Sequence, residues 1–143
     1  MNGDMLDTNV IIKYLAGDES AKQLVSSATD ILVPVIVLGE LQYGARKSSK
    51  IVTNLALFAD FLSNFAIAQV DESIAVMYGE VKEQLRKKGI NIPENDIWIA
   101  ATAISRQCRL ITYDAHFKSV DGLDVILHRT AILDAARFDA KKD

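Results

Sequence analysis

Cysteine is almost missing from this sequence. Cys108 stands alone among 143 residues, which rules out an intrachain disulfide and points to a reducing compartment, the cytoplasm being the expectation. Proline occurs only at Pro34 and Pro93, and there is no Gly/Ser-rich or repetitive tract to serve as a linker. No apolar run approaches the roughly 20 residues that a membrane span requires. The short stretch Val10, Ile11, Ile12 is interrupted by Lys13 and follows no basic run, so neither a secretion signal nor a membrane contact is expected. Positive charge is also scarce: 16 Lys and Arg face 19 Asp and Glu, a net charge of −3. That balance argues against a protein that binds polyanions through a basic surface. The objection fails if some carboxylates hold divalent cations, which reverse the local sign. Histidine appears only at 116 and 128, too far apart for a zinc pair, and both read as structural. Cys108 reads as buried filler and Trp98 as a core or dimer contact.

Half of the residues are apolar and 24% are charged, the balance of one folded domain with a real core. Short apolar runs alternate with longer segments of helical period, a pattern that predicts an α/β fold. Strands are expected at residues 5–7, 31–33, 65–70, 110–112 and 125–127. Helices are expected from Thr8 to Gly17, over 20–28, from the first turn at Pro34 to Gly44, and over 49–64, 71–88 and 95–107. Beyond Arg129, Ile132, Leu133 and Ala136 suggest a further turn or two. Strands separated by helices pair in parallel through right-handed crossovers, and such sheets place ligands beyond the carboxyl ends of their strands. Asp7 and Asp114 both fall at predicted strand ends, hence on one edge.

Two more acids are set in helices against that edge. Glu40 lies about two turns into its helix, among Val37, Leu38 and Leu41. Asp96 opens a helix beside Ile97, Ile99 and Ala100. An ionised carboxylate on such an apolar background is costly unless paired or metal-bound, and no Lys or Arg lies near Asp96 in sequence. Hard divalent cations take oxygen ligands, often one or two carboxylates with waters and phosphate. A cluster of this kind activates a bound water and offsets charge at a phosphate under attack. The start of a helix favours the ionised form of Asp96. The Asn9 amide and the Thr112 hydroxyl can orient a water or ligand. Among the basic residues, Arg46 follows the Glu40 helix directly and is the best placed to meet a phosphate. The other clusters read as solvated helix faces.

Each acid has a plainer reading alone: Asp7 and Asp96 as helix-start residues, Asp114 as an Asx turn, Glu40 as a solvent-facing side chain. Together they form a series. Leu6-Asp7-Thr8-Asn9, Glu40-Leu41 with Gly44, Asn95-Asp96-Ile97 with Ile99-Ala100-Ala101, and Thr112 with Asp114 and His116-Phe117 resemble the PIN-domain family, in particular its VapC toxin branch. The resemblance runs from about residue 5 to 127. It implies a three-layer α/β/α sandwich with a central parallel sheet, forming one domain over residues 1–130 and leaving 131–143 as a partly helical tail. It also implies a ribonuclease using Mg²⁺ or Mn²⁺. Asp7 and Asp96 match the main metal positions, with Glu40 and Asp114 completing the cluster. The expected partners are RNA, a second copy of the chain, and a cognate antitoxin lying across the active site.

Other classes fit less well. A phosphatase using an aspartyl nucleophile needs an acid two residues after the first, where Asn9 stands. A receiver domain lacks an acceptor after its middle strand, and a P-loop enzyme lacks the glycine-rich loop. The alternative from a different class is a PIN-like binding module without catalysis.

Overall fold

The first strand, β1 (Asp4–Leu6), is buried along its whole length, as befits the central strand of a sheet covered on both faces. The computed structural model describes residues 3–127, and the expected tail, with His128, lies outside them. After β1 come α1 (Thr8–Leu15), α2 (Glu19–Ser27), β2 (Leu32–Pro34), α3 (Val35–Arg46), α4 (Ile51–Leu62) and β3 (Ala66–Ala68). The chain then runs through α5 (Glu72–Lys88), α6 (Glu94–Ser105) and β4 (Arg109–Thr112). A short 3-10 helix (Ala115–Ser119) leads to β5 (Val125–Leu127).

All strand pairs are parallel, in the order β3-β2-β1-β4-β5. The chain builds outward from β1 on one side, then crosses back to lay β4 against the other. The order therefore reverses at the β1–β4 seam. A crevice opens at such a switch point, beyond the carboxyl ends of the strands. Asp7 follows β1 and Asp114 follows β4, so both acids stand at that opening. The fold is the α/β sandwich expected, with helices packing the sheet.

Local chemistry explains the helices that set the site. Asp7 caps α1, accepting the Thr8 amide, while Val10 and Ile11 go into the core. Asp71 caps α5, and Gly89 ends it with φ +70°, a left-handed turn that suits glycine. In α6, Ile97, Ile99, Ala100, Ala101, Thr102 and Ala103 are all buried. The small residues let this helix lie close to its neighbours.

Several boundaries differ from the sequence reading. Pro34 ends β2 and precedes the first turn of α3, because its extended backbone (ψ 140°) keeps it in the strand. The α3 helix passes through Gly44 to Arg46, where burial of Leu41 and Ala45 outweighs the weak helix preference of glycine. The strand expected over 65–70 is only Ala66–Ala68, since this edge strand pairs with β2 alone and β2 has three residues. Among the described residues no helix is long and apolar enough to cross a membrane.

At the opposite end of the sheet, the fully buried Asp4 accepts from Arg109 Nε at 2.7 Å and from the Thr29 amide at 2.9 Å. This ion pair ties β1 to β4 far from the crevice.

Candidate metal centre

Asp7 is 3% exposed, and both of its oxygens are held. Oδ1 accepts the Thr8 amide at 2.8 Å and Oδ2 accepts the Thr112 hydroxyl at 2.7 Å. Burial pushes its carboxyl up from 3.8 to about 6. The two hydrogen bonds oppose that rise, and the charges of Asp96 and Asp114 add to it. Thr112 also accepts the Asp114 amide at 3.0 Å. The Thr112 side chain, expected to orient a water or ligand, is completely buried, and its hydroxyl is engaged by Asp7 and the Asp114 amide.

Glu40 reaches the crevice because the turn spacing of α3 places it opposite the start of α1, where the Thr8 hydroxyl donates to its Oε1 at 2.7 Å. Asp114 Oδ2 accepts from Asn9 Nδ2 at 3.1 Å, and the Asn9 carbonyl accepts the Tyr113 amide at 3.3 Å. Asn9 therefore bridges α1 to the loop after β4. Asp96, in the first turn of α6, shares a hydrogen bond with His116 Nε2 at 2.8 Å. Burial leads in raising the Asp96 carboxyl, and Glu40 and Asp114 add to it. His116 opposes the rise without cancelling it. The favourable helix start expected for Asp96 is thus set against burial and two neighbouring acids.

These four acids converge. Oxygens of Asp7, Glu40 and Asp96 lie within 4.8 Å of one another, and ligand atoms of Asp96, Asp114 and His116 do the same. Asp96 belongs to both groups. The described residues lining the cleft, of about 440 Å³, include all four acids with Thr8, Asn9 and Ile12, and neither Lys nor Arg. Close carboxylates without a cationic side chain among them suit a hard divalent ion, which takes oxygen donors and offsets like charge. The donor set fits Mg²⁺ or Mn²⁺ on that ground.

A model of the PIN domain matches residues 5–123, with the four acids inside that span. The chain belongs to the PIN-domain family. Among its PIN relatives, the protein named ribonuclease VapC2 of Rickettsia felis is 34% identical over 124 residues, covering 83% of this chain and 92% of the relative. The ribonuclease VapC2 of Haemophilus influenzae is 37% identical over 110 residues, 76% of this chain and 83% of that one. The fold is similar to a chain in the crystal structure of VapBC2 from Rickettsia felis bound to a DNA fragment from their promoter. The TM-score is 0.81 at 32% identity, covering 87% of this chain and 98% of that one. This PIN domain falls in the VapC branch.

Two PIN-site residues escaped the sequence reading. The sequence reading makes Thr8 only the first residue of a helix and gives His116 a structural role. The signal for both was adjacency, Thr8 directly after Asp7 and His116 two residues beyond Asp114. Arg46 lies six residues beyond Glu40, about 9 Å along the α3 axis, and touches Gln42 at 3.5 Å. Other basic residues are engaged on the surface: Lys82 with Glu94 at 2.7 Å, Arg86 with Glu83, and Lys88 with Asp121 at 2.7 Å. Trp98 stacks on Tyr78, ring centres 3.9 Å apart, which joins α6 to α5. Cys108 is buried.

Proposed function

We propose that this protein is a Mg²⁺- or Mn²⁺-dependent endoribonuclease, acting in the cytoplasm as the toxin of a toxin–antitoxin pair. The observation that carries the reading is the meeting of Asp7, Glu40 and Asp96 oxygens within 4.8 Å, in a cleft lined, among the described residues, by neither Lys nor Arg. Such a cleft repels a phosphodiester unless a cation lies between them. Asp7, Glu40, Asp96 and Asp114 would hold that ion. When bound, it supplies an activated water and neutralises charge on the phosphate under attack. Thr112 and Asn9 keep Asp7 and Asp114 in place. Arg46 contacts the RNA backbone farther along α3.

The names of the relatives support ribonuclease chemistry, and the VapBC2 structure supports a cognate antitoxin as partner. The active unit is a homodimer of one PIN domain over residues 1–130. Cleavage of a generic single-stranded RNA, with Mn²⁺ and with EDTA, tests the reading. Cutting is expected with Mn²⁺ alone and is expected to vanish in Asp7→Asn and Asp96→Asn. Cutting that survives in both variants overturns metal ligation by these acids.

A further inference from the structure

Each acid of the cluster is steadied by a different donor: Asp7 by Thr112, Glu40 by Thr8, Asp114 by Asn9, Asp96 by His116. Asp96 has the most to lose. It belongs to both ligand groups, so a misplaced Asp96 side chain spoils both. It also sits where an acid has a competing attraction. The α6 helix begins after Pro93 with no side chain capping its amides, and a first-turn carboxylate is drawn toward that positive end.

The other acid of that turn, Glu94, is held away by Lys82 and the Tyr78 hydroxyl. For Asp96, His116 is the one side chain among the described residues that forms a hydrogen bond with it, at Oδ2. The other oxygen, Oδ1, has no hydrogen-bond partner among the described residues.

His116 is itself well anchored. Its ring rests against Phe117, which is completely buried, with centres 4.7 Å apart. The end of its 3-10 turn is tied to α5, where Gln84 and Lys88 both donate to the Ser119 carbonyl at 3.2 Å. Because α5 packs on α6, the donor and the acid it holds share one frame.

We propose that His116 is a positioning residue: its Nε2–H pins Asp96 Oδ2 and so sets Oδ1 for the divalent ion. The inference rests on the metal-nuclease reading above. A carboxylate ligand oriented by a neighbouring donor loses roughly 10- to 100-fold in metal affinity or activity when the donor is removed.

The test is Mn²⁺ binding by calorimetry and electron paramagnetic resonance, with RNA cleavage alongside, for the wild type, His116→Ala and His116→Gln. The glutamine amide can place an N–H where Nε2 stood. Expected are a loss of roughly 10- to 100-fold in Mn²⁺ affinity for His116→Ala, recovery of most of it in His116→Gln, and melting temperatures in EDTA close to wild type for both. Wild-type Mn²⁺ affinity in His116→Ala overturns the proposal. So does a glutamine variant as weak as the alanine one, or an imidazole nitrogen directly coupled to bound Mn²⁺ in the wild type. A wild type that neither binds Mn²⁺ nor cuts RNA defeats the functional reading instead.

Discussion

The Thr112 hydroxyl donates a hydrogen bond to Asp7 Oδ2 at 2.7 Å and accepts one from the Asp114 amide at 3.0 Å, linking two acids through one buried oxygen. The bond to Asp7 favours the charged carboxylate and holds its pKa below where burial alone would take it. Thr112→Val keeps the volume and removes the hydroxyl. A lost bond of about 1 kcal/mol lifts Asp7 by about 0.7 of a pH unit. The acid limb of the cleavage-rate profile is then expected to move to higher pH by about that amount. An unmoved limb counts against Thr112 as the group that keeps Asp7 ionisable.

Asp7 carries a cost in the metal-free protein. The folded chain keeps this proton up to about pH 6, whereas the unfolded chain releases it near 3.8. The contribution to stability is therefore complete below the unfolded pKa and is lost as pH rises through about 6. By pH 7.5 the loss approaches 3 kcal/mol in order of magnitude, at about 1.36 kcal/mol per unit. Asp7→Asn is expected to melt above wild type in EDTA at pH 7.5, and the advantage should shrink toward pH 4. Denaturation curves at the two pH values check this, and a variant less stable at pH 7.5 contradicts it.

Metal addition follows the same logic in reverse. An ion needs its carboxylates ionised, so it competes with the Asp7 proton. At about 100 times its dissociation constant, a ligand stabilises the folded state by about 2.7 kcal/mol. Mn²⁺ is expected to raise the wild-type melting temperature by several degrees at pH 7.5, and by much less at pH 5. The Asp96→Asn variant should show little response at either. An equal rise at both pH values would mean that Mn²⁺ binds elsewhere.

Arg109 offers a control remote from chemistry. Its partner Asp4 is fully buried, and a buried charge left without its partner costs about 3–5 kcal/mol. Because Arg109 is partly exposed and the Thr29 amide still serves Asp4, Arg109→Met is expected to destabilise the fold by less than a fully buried pair would lose. Adding Asp4→Asn should recover part of the loss. Chemical denaturation measures both, while metal-dependent cleavage per folded molecule should stay near wild type. A double variant less stable than the single one would count against an unpaired Asp4 as the cause.

The parallel α/β order was legible because it follows from periodicity, and periodicity is local. Asp7 and Asp114 could be placed from strand ends alone, and Glu40 from its position in a helix. Element edges were less legible: Pro34 and Gly44 carry strong local preferences that the sheet and the α3 packing override. The donors were least visible. Thr8 meets Glu40 across 32 residues and His116 meets Asp96 across 20, and no composition or spacing rule states which donor will face which acid. The Thr112 hydroxyl is visible in the sequence as a group able to orient a ligand, but its complete burial follows only from the sheet closing around it.

Asp7 and Thr112 are separated by 105 residues. During synthesis at about 5–20 residues per second, the first acid emerges on the order of 5–20 s before the partner that steadies it. The contacts that Thr112 makes to Asp7 and Asp114 can form only once β4 has been made and laid beside β1.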